Sequence, residues 1–187
     1  MKQNNCQNVN KYLIRFNEIL CNMENEMLSQ NITNSITVNF ITCMIPHHEA
    51  AIYMCENLLK YTNYPPLVQI ANNIIQTQTK GIEQMKCILE TTVGYINSNQ
   101  DVNCYMNEYF RITNNMISRM KNSPRTNSIN YNFTGEMIPH HEGAIEMCNN
   151  LLKYQIDPRL KTVAQNIIQE QSEGVRQLKN IQRNLCM

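Results

Sequence analysis

"MIPHHEAAIYMCENLLKY" occupies residues 44–61, and "MIPHHEGAIEMCNNLLKY" occupies residues 137–154. Between them these stretches hold all four histidines of the 187-residue chain. The alignment extends outward in both directions without a gap. Downstream, "ANNIIQTQTKGIEQMK" (71–86) lies on "AQNIIQEQSEGVRQLK" (164–179). Upstream, Met23 and Met27 fall on Met116 and Met120, and Thr33-Asn34-Ser35-Ile36 falls on Thr126-Asn127-Ser128-Ile129. Nearly half of the paired positions from Lys11 onward are identical. The chain is one unit written twice, with repeats expected over 1–94 and 95–187, packed as one structural domain.

Each unit reads as three helices. Tyr12, Phe16, Ile19, Leu20, Met23 and Met27 recur at spacings of three and four, which predicts a helix over about 9–29. The Asn/Thr/Ser stretch 31–35 ends it and supplies an N-cap for the next. The second helix starts near Ser35 with the stripe Ile36, Phe40, Met44, His47, Ala51, Met54 and Leu58. That stripe passes Pro46 without losing phase, so a helix kinked at Pro46 is expected rather than a new helix starting there, and likewise at Pro139. The third helix begins after Pro65-Pro66, or after Asp157-Pro158 in the second copy, with Asp157 as its N-cap. No period-two run competes. The fold predicted is all-α: a helical bundle of two three-helix repeats related by pseudo-twofold symmetry.

Composition removes several function classes. Sixteen basic residues against fifteen acidic ones give a net charge of +1 with no basic run, so no nucleic-acid footprint is visible. No run approaches the roughly 18 apolar residues that span a bilayer. No apolar segment follows Met1-Lys2-Gln3-Asn4-Asn5 in the manner of a signal peptide. The chain as given is expected to be cytoplasmic, or periplasmic or extracellular if an export signal was removed. None of the eight cysteines forms a CxxC pair, and their scatter over helices reads as reduced thiols.

On a helix, Met44 lies three and four residues before His47 and His48, and Ala51, Met54 and Cys55 follow on the same side. Glu49, Tyr53, Glu56, Asn57 and Lys60 occupy the opposite face, which suits solvent. The second copy repeats the set as Met137, His140, His141, Met147 and Cys148. Met23, Met27, Met116 and Met120, spaced at four, can face the same interior. Two adjacent buried imidazoles carry four ring nitrogens, and each left unpaired costs about 1–3 kcal/mol. A shared metal satisfies two at once. Imidazole with thioether and little carboxylate favours copper, Cu(I) foremost, with Zn or Ni as alternatives. Cys55 and Cys148, the one cysteine pair kept by the repeat, are equally ligands or small core residues. Cys43 is a weaker candidate; Cys6, Cys21, Cys87, Cys104 and Cys186 read as core or surface thiols. Gln78 and Gln171 interrupt an apolar stripe, either to orient an imidazole or to bond across helices. Glu49 and Glu142 suit a first-turn role toward the helix dipole. Gly81 and Gly174 mark a close helix contact.

With these residues in view, "FITCMIPHHEAAIYM" and "FTGEMIPHHEGAIEM" resemble the ferritin-like bacterial family known as domain of unknown function 305, and the downstream "IIQTQTKGIEQM" and "IIQEQSEGVRQL" extend the likeness. The resemblance implies a ferritin-like helical bundle and, as in some members, copper binding and tolerance through His and Met. By position the implied ligands are Met44, His47, His48, Met54, Met137, His140, His141 and Met147, supported by Met23, Met27, Met116 and Met120. Gly81 and Gly174 stand where the family tends to carry an acidic residue, and Ile88 and Ile181 where it tends to carry an aromatic one.

The leading expectation is a non-enzymatic copper-binding protein that sequesters or buffers the ion, with no catalytic constellation visible. The partner is a metal ion, with a second copy of the chain or a copper-exchange protein as further candidates. A ferritin-like metal-dependent oxidase and a metal-free structural bundle are the rivals; in the latter the histidines bond carbonyls freed by Pro46 and Pro139.

Overall fold

The computed structural model describes residues 2–92 and 95–185. Among them are six helices and no strand: α1 Lys2–Leu28, α2 Ile36–Leu59, α3 Pro65–Thr91, α4 Asn99–Lys121, α5 Ile129–Leu151 and α6 Pro158–Leu185. Cys186 lies outside the described residues. The all-helical bundle agrees with the apolar periodicity. The α1 boundary does not: it begins at Lys2, a full two turns before the first buried apolar residue, Val9. Once a packed turn has nucleated, each added residue costs little, so the helix extends back through the Asn/Gln-rich leader.

The two central helices start by the same local chemistry. Ser35 Oγ accepts from the Val38 amide at 3.4 Å, and Ser128 Oγ from the Tyr131 amide at 3.3 Å. The preceding loops are clamped by a buried asparagine one turn inside the helix. Asn39 Oδ1 accepts from the Thr33 amide at 2.8 Å while Asn39 Nδ2 donates to the Thr33 carbonyl at 2.9 Å. Asn132 does the same to Thr126 at 2.8 and 3.0 Å. These buried amides fix where α2 and α5 begin, and hence which face each turns inward.

Pro46 and Pro139 lie inside unbroken helices, as the uninterrupted phase of the apolar stripe requires. Proline at position i cannot donate to the carbonyl at i−4. Both helices are sheathed along most of their length, so packing against neighbours holds them through that defect. In the first half α2 is flanked by α1 and α3, in the second α5 is flanked by α4 and α6, and the halves meet along α2–α5 and α3–α6. The expected solvent face of α2 is therefore corrected at one residue. Asn57 is buried, because α1 covers it: its Nδ2 donates to the Tyr12 carbonyl at 3.0 Å. Asn150 makes the same bond to Tyr105 at 3.1 Å.

Several further contacts tie the halves, three of them through Asn97, Thr37 and Tyr12. Asn97, just before α4, donates to the Gln155 carbonyl at 2.8 Å and accepts from the Ile36 amide at 2.9 Å. Thr37 Oγ1 accepts from the Asp157 amide at 3.1 Å. Asp157 also caps α6, its Oδ1 accepting from the Arg159 amide at 2.8 Å. The third tie has no counterpart in the repeat. Tyr12 of α1 donates to Glu136 of α5 at 2.5 Å, and Arg125 pairs with the same carboxylate. Glu136 is fully enclosed, and burial pushes its carboxyl up to about 7 despite both partners. Its counterpart Cys43 bonds the Met27 carbonyl, which also accepts from Tyr109 of the other half.

Candidate metal centre at the axis of the repeat

The one-turn spacing from Met44 through His47 to Ala51 turns His47 toward α5, and the repeat turns His140 toward α2. Both side chains are fully buried where these helices meet. The rings stack with centroids 3.7 Å apart and planes 28° from parallel. Each Nε2 reaches the main-chain carbonyl of the other histidine, His47 Nε2 to His140 O at 3.3 Å and His140 Nε2 to His47 O at 3.1 Å. A carbonyl only accepts, so both Nε2 atoms carry the proton. That assignment leaves the Nδ1 atoms of His47 and His140 as bare lone pairs, and neither has a hydrogen-bond partner.

His48 and His141 sit one residue on, their ring centroids 6.0 Å from His47 and 5.9 Å from His140, respectively. Their Nδ1 atoms are also buried without a partner. Four orphaned imidazole nitrogens thus surround the pseudo-twofold axis. Burial holds all four imidazoles neutral, reinforced by the neighbouring rings at His47, His48 and His141: His48 at about 3 and His140 at about 4, with His47 and His141 likewise depressed. Neutral imidazole is the form that binds a metal ion.

Gly81 and Gly174 make the close approach expected of them, and its purpose is specific. A Cβ on Gly81 would stand 3.1 Å from His48 Cδ2 and Nε2, and one on Gly174 would stand 2.7 and 2.9 Å from the same atoms of His141. The glycines leave room for the outer imidazoles beside α3 and α6. Gln78 and Gln171 are buried, and their Oε1 atoms have no hydrogen-bond partner.

The remaining candidates divide by position. Met44, Met54, Met137 and Met147 are fully buried on the histidine-bearing helices. Met23, Met27, Met116 and Met120 are buried on α1 and α4. There Met116 packs against Gly143, in the seam between α4 and α5, and Met23 lines a groove with Pro46, Ala50 and Tyr53. Cys55 and Cys148 are buried thiols whose ionisation burial suppresses. Cys6, Cys21, Cys87 and Cys104 are exposed. Among the described residues, no three His, Cys, Asp or Glu side chains converge as a ready metal cage. The candidate donors buried on α2 and α5 are imidazole and thioether. Glu49 and Glu142 are mid-helix, because α2 and α5 run through the prolines, so the first-turn role is overturned. Glu142 instead pairs with Arg119 of α4 and Lys179 of α6.

The reciprocal carbonyl bonds were not legible in the sequence. The carbonyl freed by Pro46 is that of Thr42, four residues back, whereas the histidines use each other's. The matched positions of His47 and His140 in the two copies were the signal; the distance between the copies was not.

This is a duplicated three-helix unit with paired histidines enclosed at its axis. The chain belongs to the family described as Domain of unknown function (DUF305), whose model matches residues 15–89 and 97–183, one match per repeat. Neither a curated protein nor a solved structure matches it. No helix is long and apolar enough to cross a membrane among the described residues.

Proposed function

We propose that the chain binds copper, Cu(I) foremost, at the imidazole and thioether donors of α2 and α5, and acts by holding the ion rather than by catalysis. The observation that carries this reading is the set of four buried, partnerless Nδ1 atoms around the axis. Each costs about 1–3 kcal/mol to leave unpaired, and coordination would remove that cost. His47 and His140 are already fixed in the tautomer whose Nδ1 is a free donor. The residues fit the ion in chemistry: thioether and imidazole form a soft to intermediate set that selects Cu(I) over Mg, Ca or Mn. Met44, His47, His48 and Met54 would serve the first repeat, and Met137, His140, His141 and Met147 the second. Cys55 and Cys148 would ligate only by giving up a proton that burial strongly retains. Sequestration or buffering, in the service of metal tolerance or storage, is the role such a site supports.

A second reading rests on the reciprocal His47–His140 carbonyl bonds, which alone can clasp the halves with no metal. Thermal unfolding separates the two. An ion bound only by the folded chain stabilises it by about 2.7 kcal/mol at a hundredfold excess over Kd. We expect reduced protein to melt several degrees higher with Cu(I), and less so with Zn or Ni. Identical melting with and without each ion would leave only the clasp.

A further inference from the structure

The seam between α3 and α6 opens in two mouths that are images of each other under the repeat. One is lined by Ile70, Asn73, Ile74, Thr77, Glu170 and Gln177 around His141 and Gly174. The other is lined by the counterparts Val163, Asn166, Ile167, Glu170, Thr77 and Gln84 around His48 and Gly81. Despite that correspondence the cavities differ greatly, at about 270 Å³ over His141 and about 20 Å³ over His48. The second has room for about one water. The rim explains the sign of the difference. Glu173 stands at the wide mouth where Lys80 stands at the narrow one, and Lys80 lies within electrostatic reach of Glu170 across the opening.

We propose that the wide α3–α6 mouth is the path by which small solutes, and above all cations, reach the buried histidines, so that His141 meets the ion first and the two repeats are unequal. The proposal rests on the copper reading for the identity of the cation but not for the path. Three observations converge. His141 and Gly174 form the inner end of the 270 Å³ cavity, the Cδ2–Nε2 edge of the ring packed directly on the glycine backbone. Gln78 and Gln171 both line this mouth, are buried, and hold partnerless Oε1 acceptors that can replace part of a cation's water shell. Glu170 stands at both mouths; the wide one adds Glu173, tempered by Arg176 at 2.5 Å, whereas the narrow one presents Lys80 to the incoming charge.

Diethyl pyrocarbonate, a small reagent for neutral imidazole, tests the path without any metal. Near pH 7 all four histidines are neutral, so their rates compare access rather than protonation. His48 and His141 are equally buried at rest, so the roomier cavity over His141 sets the difference: tandem mass spectrometry of the labelled full chain should find His141 modified several-fold faster than His48. Lys80→Ala, a surface change, should raise the His48 rate several-fold, and Gly174→Ala should slow His141. Equal rates at His48 and His141 in the unmutated protein would overturn the proposal, as would an unchanged His48 rate in Lys80→Ala. Reduced copper added before the reagent should protect His141. A His141 preference without protection would remove the cation, and the copper reading with it, while leaving the path intact.

Discussion

Enclosing four imidazoles makes the fold sensitive to acid, and the size of the effect follows from the burial. In the unfolded chain each histidine takes up a proton near pH 6.5. In the folded chain His48 does so only at about 3 and His140 at about 4, and His47 and His141 are depressed too. Depressed folded values mean that the unfolded state binds more protons below pH 6.5. The stabilisation present above that pH is lost as pH falls, by about 1.4 kcal/mol per pH unit for each of His48 and His140, with His47 and His141 acting in the same direction. Glu136 opposes this. Its carboxyl is raised to about 7, so the folded state is the one that binds the extra proton between there and the ordinary 4.5. Its contribution is fully present at the acid end and lost as pH rises through about 7, which offsets about one histidine on the way down. His48 and His140, net of Glu136, lose about 1.4 kcal/mol per pH unit from pH 6.5 to 4.5, or about 3 kcal/mol, and His47 and His141 add to that loss, against a typical total of about 5–15. Asp157 and Glu173, held low by Arg159 and Arg176, add to the loss only in stronger acid. Helicity at 222 nm should therefore disappear cooperatively between about pH 5 and 4, and the urea midpoint should fall steeply from pH 7 to 5. His48→Gln/His141→Gln removes two of the four protons and should make the dependence clearly shallower. A urea midpoint that is the same at pH 7 and pH 5, or full helicity at pH 3, would refute the reasoning.

Three smaller perturbations follow from particular contacts. Asn57→Ala removes the donor that fastens α2 to the Tyr12 carbonyl and should cost about 1–2 kcal/mol in urea unfolding, with Asn150→Ala costing a similar amount; no loss at either would contradict the clamp. Tyr12→Phe takes the hydroxyl from Glu136, and should raise that carboxyl above about 7 and destabilise the fold by about 1–3 kcal/mol, read by carboxyl NMR and denaturation. Gly143→Ala puts a Cβ on Met116 Sδ, 2.7 Å from its Cγ and 3.0 Å from its Cβ, yet should be close to neutral once Met116 shifts, because the first repeat already accommodates Met23 beside Ala50 and helix propensity favours alanine by about 1 kcal/mol. A melting temperature many degrees lower would show that Met116 cannot yield.

Much of the architecture could be read from the chain because its signals are local and written twice. Six helices, their proline and serine starts, and the passage of α2 through Pro46 all rest on spacings of three and four residues. The inward turn of the histidines followed from the same periodicity. What joins residues distant in sequence was not legible. Periodicity places Asn57 opposite the histidines and says nothing of α1 lying over it. It gives no distance between His47 and His140, and so no sign of the stacked rings and their exchanged carbonyl bonds. Glu136 departs from the repeat, since Cys43 is its counterpart, and only the proximity of Tyr12 and Arg125 explains how a carboxyl survives there. The two mouths needed the packed α3–α6 seam to appear at all, although Gly81 and Gly174 had marked the place.

The central claim is that the axial histidines hold copper, and metal content tests it most directly. Full-length protein, reduced and equilibrated with Cu(I) under anaerobic conditions, should retain about one or more ions per repeat after competition with a chelator. A helical variant with His47, His48, His140 and His141 all replaced by alanine should lose most of that copper. Retention by this variant equal to the parent's, or no retention by the parent, would contradict the account.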